Sequence, residues 1–80
     1  MVTVRLFAAA RAAAGHDSVE VSPGTLAEVL TDVISRHPDL GAVVPRCSFL
    51  LDEVAVHGDH ASIDVPEGSV LDVLPPFAGG

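Results

Sequence analysis

Leu26, Val29, Leu30, Val33 and Ile34 recur at helical spacing, while Glu28, Asp32, Ser35 and Arg36 fall on the other side. This single amphipathic stripe constrains the fold more than any other feature of the chain. A helix with one apolar face must bury it, and the surface available here is one face of a sheet. The helix has clear ends. Thr25 and Glu28 fit a capping box, in which each side chain satisfies an orphan backbone donor. His37-Pro38 ends it, because the residue before a proline avoids the α region.

The strands around it follow from alternation. Val2, Val4 and Leu6 alternate with Thr3 and Arg5, and Val19 and Val21 alternate with Glu20 inside Ser18 to Ser22. The short separation predicts an antiparallel hairpin. Ala8 to Ala14 forms its turn or a short helix ending at Gly15. Pro23-Gly24 is read as a turn, Asp39 to Arg46 as a connection with a short helical turn, and Gly58 to Asp64 as a polar loop. Ser48 to Leu51 and Val54 to Val56 are short strands around an Asp52-Glu53 turn, and Val70 to Leu74 is the last strand. The first and last strands are expected side by side and parallel in the middle. The layout is α+β: a ubiquitin-like β-grasp, with a mixed sheet of four to five strands and one main helix on one face. Residues 1–74 form the domain and 75–80 a flexible tail.

Eighty residues provide one small core. A domain of this size buries only roughly 60% of its unfolded surface and is not expected to enclose a deep cavity or any pocket. An active site of its own is therefore not expected, and a surface that other proteins bind is. Four arginines and no lysine stand against eleven acids, a formal charge of −7. That field repels nucleic acid and anionic membranes. The N-terminus lacks the charged and apolar regions of a signal peptide, so the protein is expected in the cytoplasm.

After Leu74 the chain reads Pro75-Pro76-Phe77-Ala78-Gly79-Gly80. The prolines favour an extended segment and bar the strand from continuing. Glycines have no side chain to clash, so a narrow channel can grip Gly79 and Gly80 closely. Six residues at roughly 3.1 Å each reach about 19 Å, far enough to place a carboxylate in another protein's active site. Gly80 is the expected reacting residue, its carboxylate activated as an acyl adenylate and converted to a thiocarboxylate. Pro75, Pro76, Ala78 and Gly79 would thread the tail into a partner. In the last strand Leu71 and Val73 should face the helix, leaving Val70 and Leu74 opposite with Asp72. Val70, Leu74 and Phe77 are the expected docking residues.

Cys47 is either a redox thiol or sulfur acceptor, or a small buried hydrophobe, the reading its position at the start of an apolar strand favours. His57 and His60 flank Asp59, but no third ligand has convincing spacing, so no metal site is expected. His16 and His37 are expected to face solvent.

Over essentially its whole length the chain resembles the ubiquitin-like sulfur carriers, most closely the small subunits of molybdopterin synthases. Phe7-Ala8, Arg11 and Gly15 are similar to that family's Phe-Ala…Arg…Gly stretch, and Pro75 to Gly80 to its Pro-Pro-Val-Ser/Ala-Gly-Gly terminus. Ala12 stands where a Glu is usual, Phe77 replaces Val, and His57-Gly58 only approximates an Asn-Gly. The resemblance implies that a ubiquitin-activating-type adenylyltransferase adenylates Gly80. The ATP and magnesium belong to that enzyme, and this chain binds no cofactor. Sulfur would come from a cysteine desulfurase or rhodanese-like protein. The loaded tail would enter the large subunit of molybdopterin synthase, in a heterotetramer, during molybdenum cofactor biosynthesis. Related carriers serve thiamine thiazole, cysteine or specialised-metabolite synthesis, and a ubiquitin-like modifier would use the same activated end.

Overall fold

A computed structural model describes residues 1–76. Its elements run β1 (Val2–Leu6), α1 (Ala8–Ala14), β2 (Ser18–Val21), β3 (Gly24–Thr25) and α2 (Leu26–Arg36). Two 3-10 helices (Pro38–Ala42 and Val44–Arg46) lead to β4 (Ser48–Leu51) and β5 (Val54–Ala55). A third 3-10 turn (His60–Ser62), β6 (Asp64–Val65) and β7 (Val70–Leu74) follow.

Five strands form one sheet in the order β2-β1-β7-β4-β5. β1 and β7 lie parallel at its centre, with Val4 opposite Leu71 and Leu6 opposite Val73. The flanking pairs, β1 with β2 and β4 with β7, are antiparallel. Neighbours and sheet order thus agree with the mixed β-grasp read from the alternation.

Period-2 placement sends Val2, Val4, Leu6, Val21, Leu71 and Val73 to one face, where each is buried. Against that face α2 lays Leu26, Val29, Leu30 and Val33, all buried, with Ile34 packed at the margin. Leu40 of the first 3-10 helix closes the core.

The capping box is formed as expected. Thr25 N donates to Glu28 Oε1 at 2.8 Å, and Glu28 N donates to Thr25 Oγ1 at 3.2 Å. Gly24 permits it, because a Cβ there would meet Glu28 Oε1 at 2.9 Å. These bonds, first the one from the Thr25 backbone, hold the Glu28 carboxyl below its ordinary value of 4.5. A depressed folded value means this contribution is present above pH 4.5 and is lost as pH falls through the folded pKa. Glu28→Gln is therefore expected to lose less stability than the parent between neutral pH and about pH 3. Denaturant unfolding at the two pH values measures this, and equal losses would refute the role of the charge.

Three features depart from expectation. Gly24–Thr25 pairs antiparallel with Asp64–Val65 in a second, two-stranded sheet where the sequence indicates a turn and a loop. Leu26 N donates to Ile63 O at 2.8 Å, locking that pairing to the start of α2. The 39–46 connection is two 3-10 helices, not one helical turn. His37 is half-buried, its ring 5.2 Å from that of His16, so of this pair His16 alone is exposed. Arg36 pairs with Asp32 and also donates to the Glu20 carbonyl, taking up an acceptor on the edge strand β2.

Candidate functional site

The site is built around the end of β7. Phe7 N donates to Val73 O at 3.1 Å, carrying the parallel ladder to the point where the strand stops. At its beginning, Val70 N donates to Asp52 Oδ1 at 2.9 Å, and Asp52 N donates to Val70 O at 2.9 Å. Asp52 and Glu53 occupy the left-handed region (φ 47° and 71°) that a two-residue hairpin turn requires. The turn between β4 and β5 thus also fixes the start of β7. Leu71 and Val73 have no exposed surface, whereas Pro75 and Pro76 are exposed. The chain passes from its most constrained strand directly into solvent-facing prolines. Phe77, Ala78, Gly79 and Gly80 lie outside the described residues.

Val70 and Leu74 are half-buried and sit with Asp72 on the sheet face away from α2. Across the ladder Leu50 opposes Asp72, and Ala55 opposes Leu50, extending the apolar surface. Sequence reading missed Leu50 and Ala55, since short strands do not reveal which partner they face. It also missed the ion pair at the centre of this face. Arg5 donates twice to Asp72, Nε to Oδ1 at 2.5 Å and Nη2 to Oδ2 at 2.8 Å. The Arg5 side chain covers Asp72, leaving it buried on an otherwise open face, and its guanidinium lies 5.9 Å from the Phe7 ring centre. Hydrogen bonding to Asp72, reinforced by its charge, keeps Arg5 ionised even more firmly than usual.

The expectation of a surface without pockets needs correction. The first 3-10 helix, Pro38–Ala42, packs against α1 and α2, and open space remains beside the strand end. An open groove of about 660 Å³ runs past Val44, Cys47, Phe49, Val56, His57 and Pro76. A second, of about 330 Å³, lies between Phe7, Ala8, Val43, Arg46, Pro75 and Pro76. Both are shallow channels at the root of the tail. Ala8 adopts φ 50° there, an uncommon conformation for a residue with a side chain.

Cys47 separates the grooves. It is half-buried against the core, and its thiol donates to the Val43 carbonyl at 3.3 Å. Burial pushes the thiol's pKa up, which disfavours the nucleophilic thiolate and suits the packing role. His60 packs edge-on against Phe49 at 5.4 Å. Asp59 caps the turn that follows it, accepting from Ala61 N and Ser62 Oγ. These contacts give His60 and Asp59 structural roles; among the described residues no His/Cys/Asp/Glu group suits a metal. Nor is any helix among them long and apolar enough to cross a membrane.

The model of the ThiS family matches residues 4–80. The molybdopterin synthase sulfur carrier subunit of Chlamydomonas reinhardtii is 29% identical over 82 residues, covering 99% of this chain and 98% of that protein. A chain of the Amycolatopsis orientalis BexX/CysO complex is also 29% identical, with a TM-score of 0.82 and 100% of both chains covered. Small archaeal modifier protein 1 of Methanosarcina acetivorans superposes with a TM-score of 0.84, covering 99% of this chain and 95% of that one. At 23% identity, that last likeness shows the fold alone. Matched from its first strand through its final glycine, the chain belongs to the ThiS family of ubiquitin-like sulfur carriers.

Proposed function

We propose that Gly80 is the acceptor and donor of sulfur, and that the chain is the small subunit of a molybdopterin synthase. The observation that carries this reading is the course of β7. A central strand whose Leu71 and Val73 are fully buried ends at two exposed prolines, and Phe77-Ala78-Gly79-Gly80 follow them. A rigid base with a thin end suits delivery of a carboxylate into a partner's channel. The activating enzyme supplies ATP and magnesium: the carboxylate attacks the α-phosphate and pyrophosphate leaves. The outer sulfur of a persulfide on a cysteine desulfurase or rhodanese-like donor then attacks the acyl carbon and displaces AMP. A thiol cleaves the resulting acyl disulfide, releasing the thiocarboxylate and leaving a disulfide on the donor. The thiocarboxylate is the form that enters the large subunit. Catalytic side chains belong to the partners, and this chain contributes the positioned end. Val70 and Leu74, joined by Leu50, Ala55 and Phe77, form the docking face.

The molybdopterin assignment is supported by the algal relative. A second reading, delivery to a different acceptor, is favoured by equal identity to a chain of the BexX/CysO complex. One experiment separates them. The carrier is incubated with an activating enzyme, ATP, magnesium and a sulfur source, and its intact mass is measured. Exchange of one oxygen for sulfur at Gly80 is expected. The loaded protein is then given to the large subunit with cyclic pyranopterin monophosphate. Molybdopterin formation supports the first reading, and a loaded but inert carrier supports the second. Conjugates on lysines of other proteins would indicate a modifier, and an unchanged mass would refute a carrier role.

A further inference from the structure

Three of the four arginines face carboxylates: Arg5 binds Asp72, Arg11 lies 3.8 Å from Asp17, and Arg36 lies 3.2 Å from Asp32. Arg46 is exposed, and its guanidinium has no partner among the described residues. Its position is equally distinctive. It lines the smaller groove at the tail root, together with Phe7, Pro75 and Pro76. Among the described residues, no carboxylate lines either groove there, although the chain carries eleven acids. Among the described residues, the base of the tail is thus a largely apolar surface with one free guanidinium, on a domain of charge −7.

From these observations we infer that Arg46 seats the tail root on an adenylating partner by pairing with a carboxylate on the lip of its channel. The inference rests on the carrier reading above. A guanidinium presents a planar fork that matches a carboxylate with two parallel hydrogen bonds, and the apolar groove beside it excludes water from the pair. The four residues beyond Pro76 span at most about 14 Å when fully extended. The partner must therefore accommodate a negative tip and a positive root within that length. Its channel floor has to be cationic to receive the acid, and its rim has to be apolar and acidic. On a domain this acidic, Arg46 at the root also sets the orientation of approach, because acidic faces meet the same lip with like charge.

The test is ATP–pyrophosphate exchange by the activating enzyme, with the concentration of carrier varied. Arg46→Glu is expected to raise the KM for the carrier about tenfold while kcat stays within about twofold, since Gly80 reacts normally once seated. Arg46→Lys should retain a KM within about threefold of the parent. Salt should raise the parent's KM more steeply than that of Arg46→Ala. Thr31→Glu, which adds negative charge on the exposed side of α2, should leave KM within about twofold. If the parent supports exchange but Arg46→Glu matches it, the seating role is overturned and the carrier reading stands. Equal rises for Arg46→Ala and Thr31→Glu, each of which lowers the net charge by one, would also overturn it, since net charge would then account for both. If the parent supports no exchange, the carrier reading falls and this inference falls with it.

Discussion

Removal of Gly80 is expected to reduce adenylation and sulfur loading by at least about a hundredfold while the melting temperature stays within about 2 °C. One residue contributes up to about 3.5 Å of reach. An attacking oxygen must come within about 3.5 Å of its target, and a 1 Å error alone costs about a hundredfold. A tail anchored at Pro76 cannot recover that length by stretching, because its base is held by the ladders on both sides of β7. Adding one residue after Gly80 should be as damaging, since the glycine carboxyl becomes an amide. Stability should not follow activity: the last strand ends at Leu74, and the buried core of the described residues runs from Val2 to Val73. Pyrophosphate exchange and thermal unfolding on the same sample test both halves. Retained exchange would show that another group is activated. A fall in melting temperature of 10 °C or so would show that the end belongs to the packed domain.

The order and partners of the main strands could be read from sequence because each carries its own signal. Three inward valines and leucines mark β1, and the buried Leu71 and Val73 mark β7. For α2, the capping box, apolar stripe and His37-Pro38 agree on both ends. β3 and β6 could not be read in this way, because two residues are too few to show alternation. Gly24 and its neighbouring Pro23 favour a turn until Asp64 and Val65, some forty positions later, supply the partner. The same limit applies to the open face. Alternation placed Val70, Asp72 and Leu74 together, but the burial of Asp72 depends on Arg5, which is 67 residues away in sequence. The chemistry proposed for the tail was legible as an expectation because it rests on composition: small residues, prolines and a terminal acid. The grooves beside it were not, since they arise where the 3-10 segments leave space uncovered.

Leu71→Ala should produce the largest loss of stability of any single change considered, about 2–5 kcal/mol, or a fall in melting temperature of roughly 10–30 °C. Leu71 has no exposed surface, and it lies opposite Val4 on one side and Leu51 on the other. Its side chain therefore packs where the two central strand pairs meet the helix, and backbone bonding on both sides limits collapse into the space it leaves. A domain of this size has about 4–12 kcal/mol to lose, so a sizeable unfolded population is expected near physiological temperature. Val70→Ala provides the contrast, since its half-buried side chain lies on the open face and should cost under about 1 kcal/mol. The functional consequence separates anchor from chemistry. Below its melting transition Leu71→Ala should still load sulfur at a rate proportional to its folded fraction, because Gly80 is untouched. Above the transition, loading should cease along with the fold. Urea unfolding and sulfur loading measured across the same temperatures decide this. A variant that melts with the parent would show that β7 is not the packed base from which the tail projects.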